Sequence, residues 1–267
     1  MVKCVPIFEG NQLQWRPMAK LEINLPELTD TMLALCQSTR SVAETSDKFA
    51  SPLTDPEKIC AGLNRFADII RHLDKQTEVG IEQVQNTSAA NEFQELSDYG
   101  LGLLNQLGDW CDQLELTDSR QALDEVIVTL GVWSARHLGP LHTLEPIVNA
   151  LSKVANSTTD PAFLGELSHV YREIADAVAP TIKQDIDKSN PGRPWRILNL
   201  NYAIVATRSY QIDIMEQAFD HLMIRLPEDA PGFFSEGIQQ MDIIGYPDHV
   251  RRVMEKYYQL TNNPTLH

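Results

Sequence analysis

No window of this chain runs eighteen apolar residues without interruption, so nothing in it is long enough to cross a bilayer as a helix. It has no H-E-x-x-H, no G-x-S-x-G and no G-x-x-x-x-G-K-[ST], which sets aside the commonest zinc-protease, serine-hydrolase and phosphate-loop chemistries. Cysteine is scarce. Cys4, Cys36, Cys60 and Cys111 stand far apart, with neither a C-x-x-C pair nor Cys and His at zinc spacing, and the expectation is reduced thiols in a cytoplasmic protein. Positive charge is scarce too: 22 Lys and Arg against 37 Asp and Glu leave a formal charge of −15. That field repels phosphate backbones and anionic lipid, so neither nucleic acid nor a membrane surface is expected as a partner. The first residues carry a charge and a short apolar stretch, but Pro6, Glu9 and Gly10 break it before a signal-peptide core forms.

What the chain does have is helical periodicity. Its 267 residues, 43% of them hydrophobic, suffice for the core of one large domain or two modest ones. Strand character is confined to the first two dozen residues, where CVPIF and LQW flank EGNQ and suggest a small hairpin or extended arm. From Pro26 onward the apolar residues recur at helical spacing. Thr54-Asp55-Pro56-Glu57 reads as a capping box; Asp160-Pro161 and Asp229-Ala230-Pro231 read as capped starts with proline in the first turn. Pro227 closes a segment with Met215, Ala218, Phe219 and Leu222 on one face, and Gly245 followed by Pro247 separates the last two helices. The reading places helices near 26–49, 55–86, 90–115, 118–138, 143–156, 161–187, 194–208, 210–226, 230–244 and 248–260. Short connections favour antiparallel neighbours.

A phrase recurs. TTDPAFLGEL (158–167) matches EDAPGFFSEG (228–237) at an offset of 70, and LEPIVNAL (144–151) matches MEQAFDHL (215–222) at 71. Self-similarity at this length suggests stacked helical hairpins, each burying its apolar face on the next. Trp195, Leu198 and Tyr202 keep a W-x-x-L-x-x-x-Y spacing, with Phe219 and Pro227 following. Over residues 192–228 this resembles a tetratricopeptide-repeat hairpin, with Asn199 where that family has a small glycine and Met215 where it has an alanine. The resemblance implies a non-enzymatic surface that holds a peptide or protein in a groove.

The expected architecture is therefore all-α: an N-terminal arm or hairpin (1–25), a helical bundle (26–116), a region of stacked antiparallel hairpins (117–261) and a flexible tail (262–267). The expected function is a protein- or peptide-binding scaffold, with no catalytic residue and no cofactor. Its contact surface would be Arg193, Arg196 and Arg208, whose guanidinium forks suit carboxylates, or the stretch from Lys75 to Arg120, which holds no Lys or Arg and would favour a basic partner. Two alternatives accompany it. Glu166 and His169, an E-x-x-H on one helix face, could begin a metal site in a helical enzyme or metal-binding protein. A homo-oligomeric structural protein could bury an apolar face including Phe233, Phe234 and Tyr246. Gly100, Gly102 and Gly108 miss dinucleotide spacing and suggest a loosened or closely packed helix instead.

Overall fold

The computed structural model describes residues 7–8, 13–14, 23–46, 53–78, 87–186 and 188–262. Among them the fold is all-α, eleven helices with neighbours packed in pairs, plus one short strand pair. In that pair β1 (Ile7–Phe8) runs antiparallel to β2 (Leu13–Gln14), Ile7 opposite Gln14 and Phe8 opposite Leu13. The remainder of the expected arm up to residue 22, the expected helix ends at 47–49 and 79–86, and the tail from 263 lie outside the described residues.

The described residues form two compact units: one within 22–154 with 177–179, the other within 155–176 and 180–267 together with the strand pair. The first is a four-helix bundle of α1 (Leu25–Thr45), α2 (Pro56–Glu78), α3 (Thr87–Gln113) and α4 (Thr117–His137), each packed on the next and α4 closing onto α1. Its division from the second unit falls in the last turn of α5 (Glu145–Asn156), not at the expected Leu116–Thr117. The reason lies in α4, which is buried from Leu123 to Ser134 at every position but Thr129 and so needs cover on nearly every side. α1 and α3 supply part of it, and Gly131 lets Ile147 of α5 approach so closely that an added Cβ would lie 3.0 Å from its Cδ1. Residues 114–116 are a tight turn, with Glu115 left-handed at φ 60° and Leu116 N–H donating to Cys111 O at 2.8 Å.

The reduced-thiol expectation is corrected. Cys36 on α1 and Cys60 on α2 form a disulfide with Cα atoms 5.7 Å apart, both side chains buried in the bundle. The placement in the cytoplasm loses the support it drew from free thiols. Cys111 stays a buried thiol 3.6 Å from Thr39 Oγ1, and burial pushes its pKa up.

The second unit holds α6 (Pro161–Ala177, up to residue 176), α7 (Pro180–Lys183), α8 (Pro194–Arg208), α9 (Ile212–Arg225), α10 (Ala230–Ile244) and α11 (Asp248–Asn262). α8 pairs with α9, α10 pairs with α11, and α11 also packs on α9. An aromatic cluster joins them: Phe219 of α9 meets Phe234 and Tyr257 edge-on at 5.1 and 5.2 Å. The single helix expected over 161–187 ends at Ala177. Pro180 cannot continue it and biases Ala179 towards extended backbone, and residues 177–179 instead bridge to Leu141, each of two N–H to carbonyl bonds measuring 2.9 Å.

The caps differ in detail from the sequence reading. Asp160 accepts from Ala162 N–H at 3.0 Å as expected. At α2 the cap is Asp55, which takes Glu57 N–H at 2.9 Å, one residue beyond Thr54. Asp229 caps nothing through its side chain. Gly245, left-handed at φ 77°, ends α10 with its N–H on Met241 O. The two recurring phrases occupy the turns before α6 and α10, each helix opening with a proline in its first turn; the unit division within α5 leaves only the second copy whole within one unit.

Candidate functional site

Two of the three arginines singled out by sequence meet around Asp229. Arg193 sends Nε and Nη2 to Asp185, the Nη2 bond measuring 2.8 Å, and its Nη2 also lies 3.7 Å from Asp229 Oδ2. Arg196 Nε donates to Asp229 Oδ1 at 2.7 Å and its Nη1 to Pro191 O at 3.0 Å. Asp229 thus accepts from Arg196 and forms an ion pair with Arg193, which explains why it does not cap α10. Asp185, left-handed at φ 48°, turns the chain so that its carboxylate meets the Arg193 fork side-on. These arginines tie Asp185 and the first turn of α8 to the start of α10. Arg208 stands elsewhere: its Nη1 donates to Ala155 O at 3.0 Å, in the last turn of α5, and its Nη2 to Thr158 O at 2.7 Å, just past that helix.

Trp195, Leu198, Tyr202 and Phe219 are all buried. Asn199, the departure from the tetratricopeptide pattern, is buried as well and has a specific use. Its Nδ2 donates to Trp195 O at 2.8 Å, and its Oδ1 accepts from Arg225 Nη1 at 3.2 Å. Arg225 lies over the Trp195 ring, 5.8 Å from its centroid, and reaches Asp176 of α6 with Nη2. Burial pushes Tyr202 up to about 12 and, helped by the Arg225 charge, pushes His221 down. A glycine at 199 would leave this Arg225 contact unmade.

A cavity of about 420 Å³ opens between α8 and α10. α8 contributes Ile204, Thr207 and Arg208; α10 contributes Phe233, Glu236, Gly237, Gln240, Met241 and Ile244; Tyr246 and Met254 complete it. The lining is chiefly apolar and a small number of polar groups stand on it, the usual make-up of a binding cleft. Ile204 and Ile244 remain 43% and 62% exposed, whereas Met241 and Met254 are buried and form the floor. Tyr246 packs edge-on against Tyr210, 5.7 Å between centroids, and His249 Nε2 lies 3.1 Å from Tyr210 O, which fixes the mouth. Of the residues marked in the sequence, Arg208, Phe233 and Tyr246 line this cavity. The sequence reading missed Ile204, Gly237, Gln240 and Ile244; the signal was Glu236, Gln240 and Ile244 at i, i+4 and i+8 on one row of α10. Phe234, offered for self-association, is fully buried against Phe219 and Tyr257 and cannot serve there.

The other marked residues take structural places. Glu166 and His169 are half-buried on α6, and among the described residues no group of three or more His, Cys, Asp or Glu gathers as metal ligands. Gly100 receives the Phe66 ring, and Gly108 receives the Arg120 guanidinium, whose Nη1 would lie 1.8 Å from an added Cβ; close packing accounts for both. In the acidic stretch, Glu92, Asp109, Glu115 and Asp118 are exposed on the bundle, and Asp112 is met by Arg120 and Lys153 at 3.5 and 3.8 Å. Beside them Asp124 is buried, its pKa pushed up to about 6 by burial against the pull of Arg120 and Lys153. Comparison with known proteins finds no family model, no curated protein and no solved structure that matches the chain.

Proposed function

We propose that this protein is a non-enzymatic binding module, and that the cavity between α8 and α10 receives a segment of a protein or peptide partner. The observation that carries the reading is that cavity: an apolar floor of buried methionines, half-open isoleucine walls and four polar side chains at its edges. The tetratricopeptide-like spacing of Trp195, Leu198 and Tyr202, all of them buried, supports it. The contact surface moves accordingly. Arg208 is part of the wall, while Arg193 and Arg196 hold the start of α8 to Asp229.

The test uses the full chain and a random dodecapeptide library displayed on phage. Ile204→Asp with Ile244→Asp should abolish binding of the enriched peptides. Ile224→Asp serves as control, because Ile224 is 76% exposed and does not line the cavity. Both variants should keep the parent melting temperature within a few degrees, since exposed positions contribute little. Failure to enrich any peptide, or binding that survives the double variant, rejects the reading. Self-association detected by sedimentation and lost in the double variant assigns the groove to a second copy and likewise rejects it.

A further inference from the structure

Resting on the peptide-groove reading, we infer that the partner segment seats between α8 and α10 as an amphipathic helix, with an aliphatic stripe facing the cavity and no net charge. The walls set the form. α8 and α10 are 15-residue helices, each packed on a different neighbour, α9 and α11, and the cavity lies where their remaining sides face one another. Their backbone donors and acceptors are spent within the helices, so the lining offers an incoming chain no strand edge. Few side chains can take the place of one. Thr207 Oγ1 donates to Ala203 O at 2.8 Å, and Arg208 gives two donors to the carbonyls of Ala155 and Thr158. Glu236 and Gln240, one turn apart on α10, are both exposed, and among the described residues no hydrogen bond or ion pair engages either. An extended segment brings an N–H and a carbonyl with every residue and finds mainly those two side chains to meet them. A helix closes its own backbone bonds and presents only side chains.

Side chains are what the lining suits. Ile204 on α8 and Ile244 on α10 are exposed walls, and the buried Met241 and Met254 form the floor, with Met254 filling the space that Gly237 leaves. Aliphatic residues three and four apart on an incoming helix form ridges that pack into such a trough, as helices pack on one another. Fifteen residues make each wall about 22 Å long, enough for a segment of three turns. Charge sets the flanks. Arg208 stands on the α8 wall and Glu236 on the α10 wall, one charge of each sign. The complement is a stripe bordered by a carboxylate towards α8 and an ammonium or guanidinium towards α10, which sum to zero as the walls do. Reversing the helix exchanges its flanks, so the same pair of charges fixes its direction.

The test uses the full chain and synthetic copies of the dodecapeptides enriched on phage. A 13C-labelled copy should move its Cα resonances to helical values when the protein is added. Alanine scanning, read by fluorescence anisotropy, should place the losses at i, i+3 or i+4, and i+7. Proline at a central position outside that stripe should weaken binding by more than about thirtyfold, because it breaks a helix interior. Glu236→Lys should weaken binding of the parent peptide, and a peptide whose base on the α10 flank is replaced by Glu should bind that variant more tightly than it binds the parent protein. Losses at alternate positions, tolerance of the proline, enriched peptides charged strongly with one sign, or a swapped peptide that prefers the parent protein overturn the inference. If those same peptides are lost with Ile204→Asp and Ile244→Asp, the groove reading itself stands; binding that survives the double variant overturns both.

Discussion

Glu125 sits in the middle of α4 with 8% of its surface exposed, and its carboxyl is pushed up to about 8, first by burial and then by the neighbouring Asp124 charge. It is protonated at neutral pH. Because the folded value is raised above the ordinary one near 4.5, its stability is fully present below pH 4.5 and drains away as pH rises towards 8. Glu125→Gln keeps the shape and cannot ionise. The variant should match the parent near pH 4 and exceed it at pH 9 by on the order of 4 kcal/mol, at about 1.4 kcal/mol per pH unit. Urea melts at the two pH values check this, and equal stabilities at pH 9 contradict it. In the second unit a different residue carries similar weight: Asn199 satisfies Arg225 at a place where the resemblance called for the smallest side chain.

At the scale of the element, two aspartates that look alike in the sequence do different things. Asp160 is a cap for α6, accepting the Ala162 N–H; Asp229 precedes α10 in the same setting but holds Arg196 and Arg193. Serine is as good a cap as aspartate and carries no charge. Asp160→Ser should therefore be close to neutral, while Asp160→Ala should cost about 1 kcal/mol. Asp229→Ser should cost as much as Asp229→Ala, because either leaves Arg196 without its carboxylate and removes the second anion near Arg193. Thermal melts of the four variants decide it; rescue by serine at 229 would return that residue to the role of a cap. The helix boundaries follow the same rules: prolines at 161, 194 and 231 open helices in their first turns, and Pro180 divides α6 from α7.

For the whole molecule, the two units differ in their covalent chemistry. Every cysteine precedes residue 112, so the second unit's helices have none, whereas α1 and α2 are joined through Cys36 and Cys60, 24 residues apart. Closing a loop of that length stabilises a fold by roughly 3 kcal/mol. The Cys36→Ala, Cys60→Ala variant should lose hydrogen-exchange protection in α1–α4 and keep it in α8–α11. A uniform loss over both would show that the disulfide supports more than the bundle. The unit division itself was hidden in the sequence because α4 looks like an ordinary start after a turn. Only its burial, at every position from Leu123 to Ser134 but Thr129, ties it to the helices before it.

The sequence by itself determined the helices, most of their ends and the absence of any segment able to cross a membrane as a helix, because these depend on periodicity, proline and capping within a few residues. It marked Arg208, Phe233 and Tyr246 but could not bring them to one cavity. Tertiary structure decided which aspartate caps and which pairs with arginine, that Cys36 meets Cys60, and that Gly237 admits the Met254 side chain. Each of these depends on groups distant in the chain approaching within a few ångströms, and local sequence patterns carry no distance between helices.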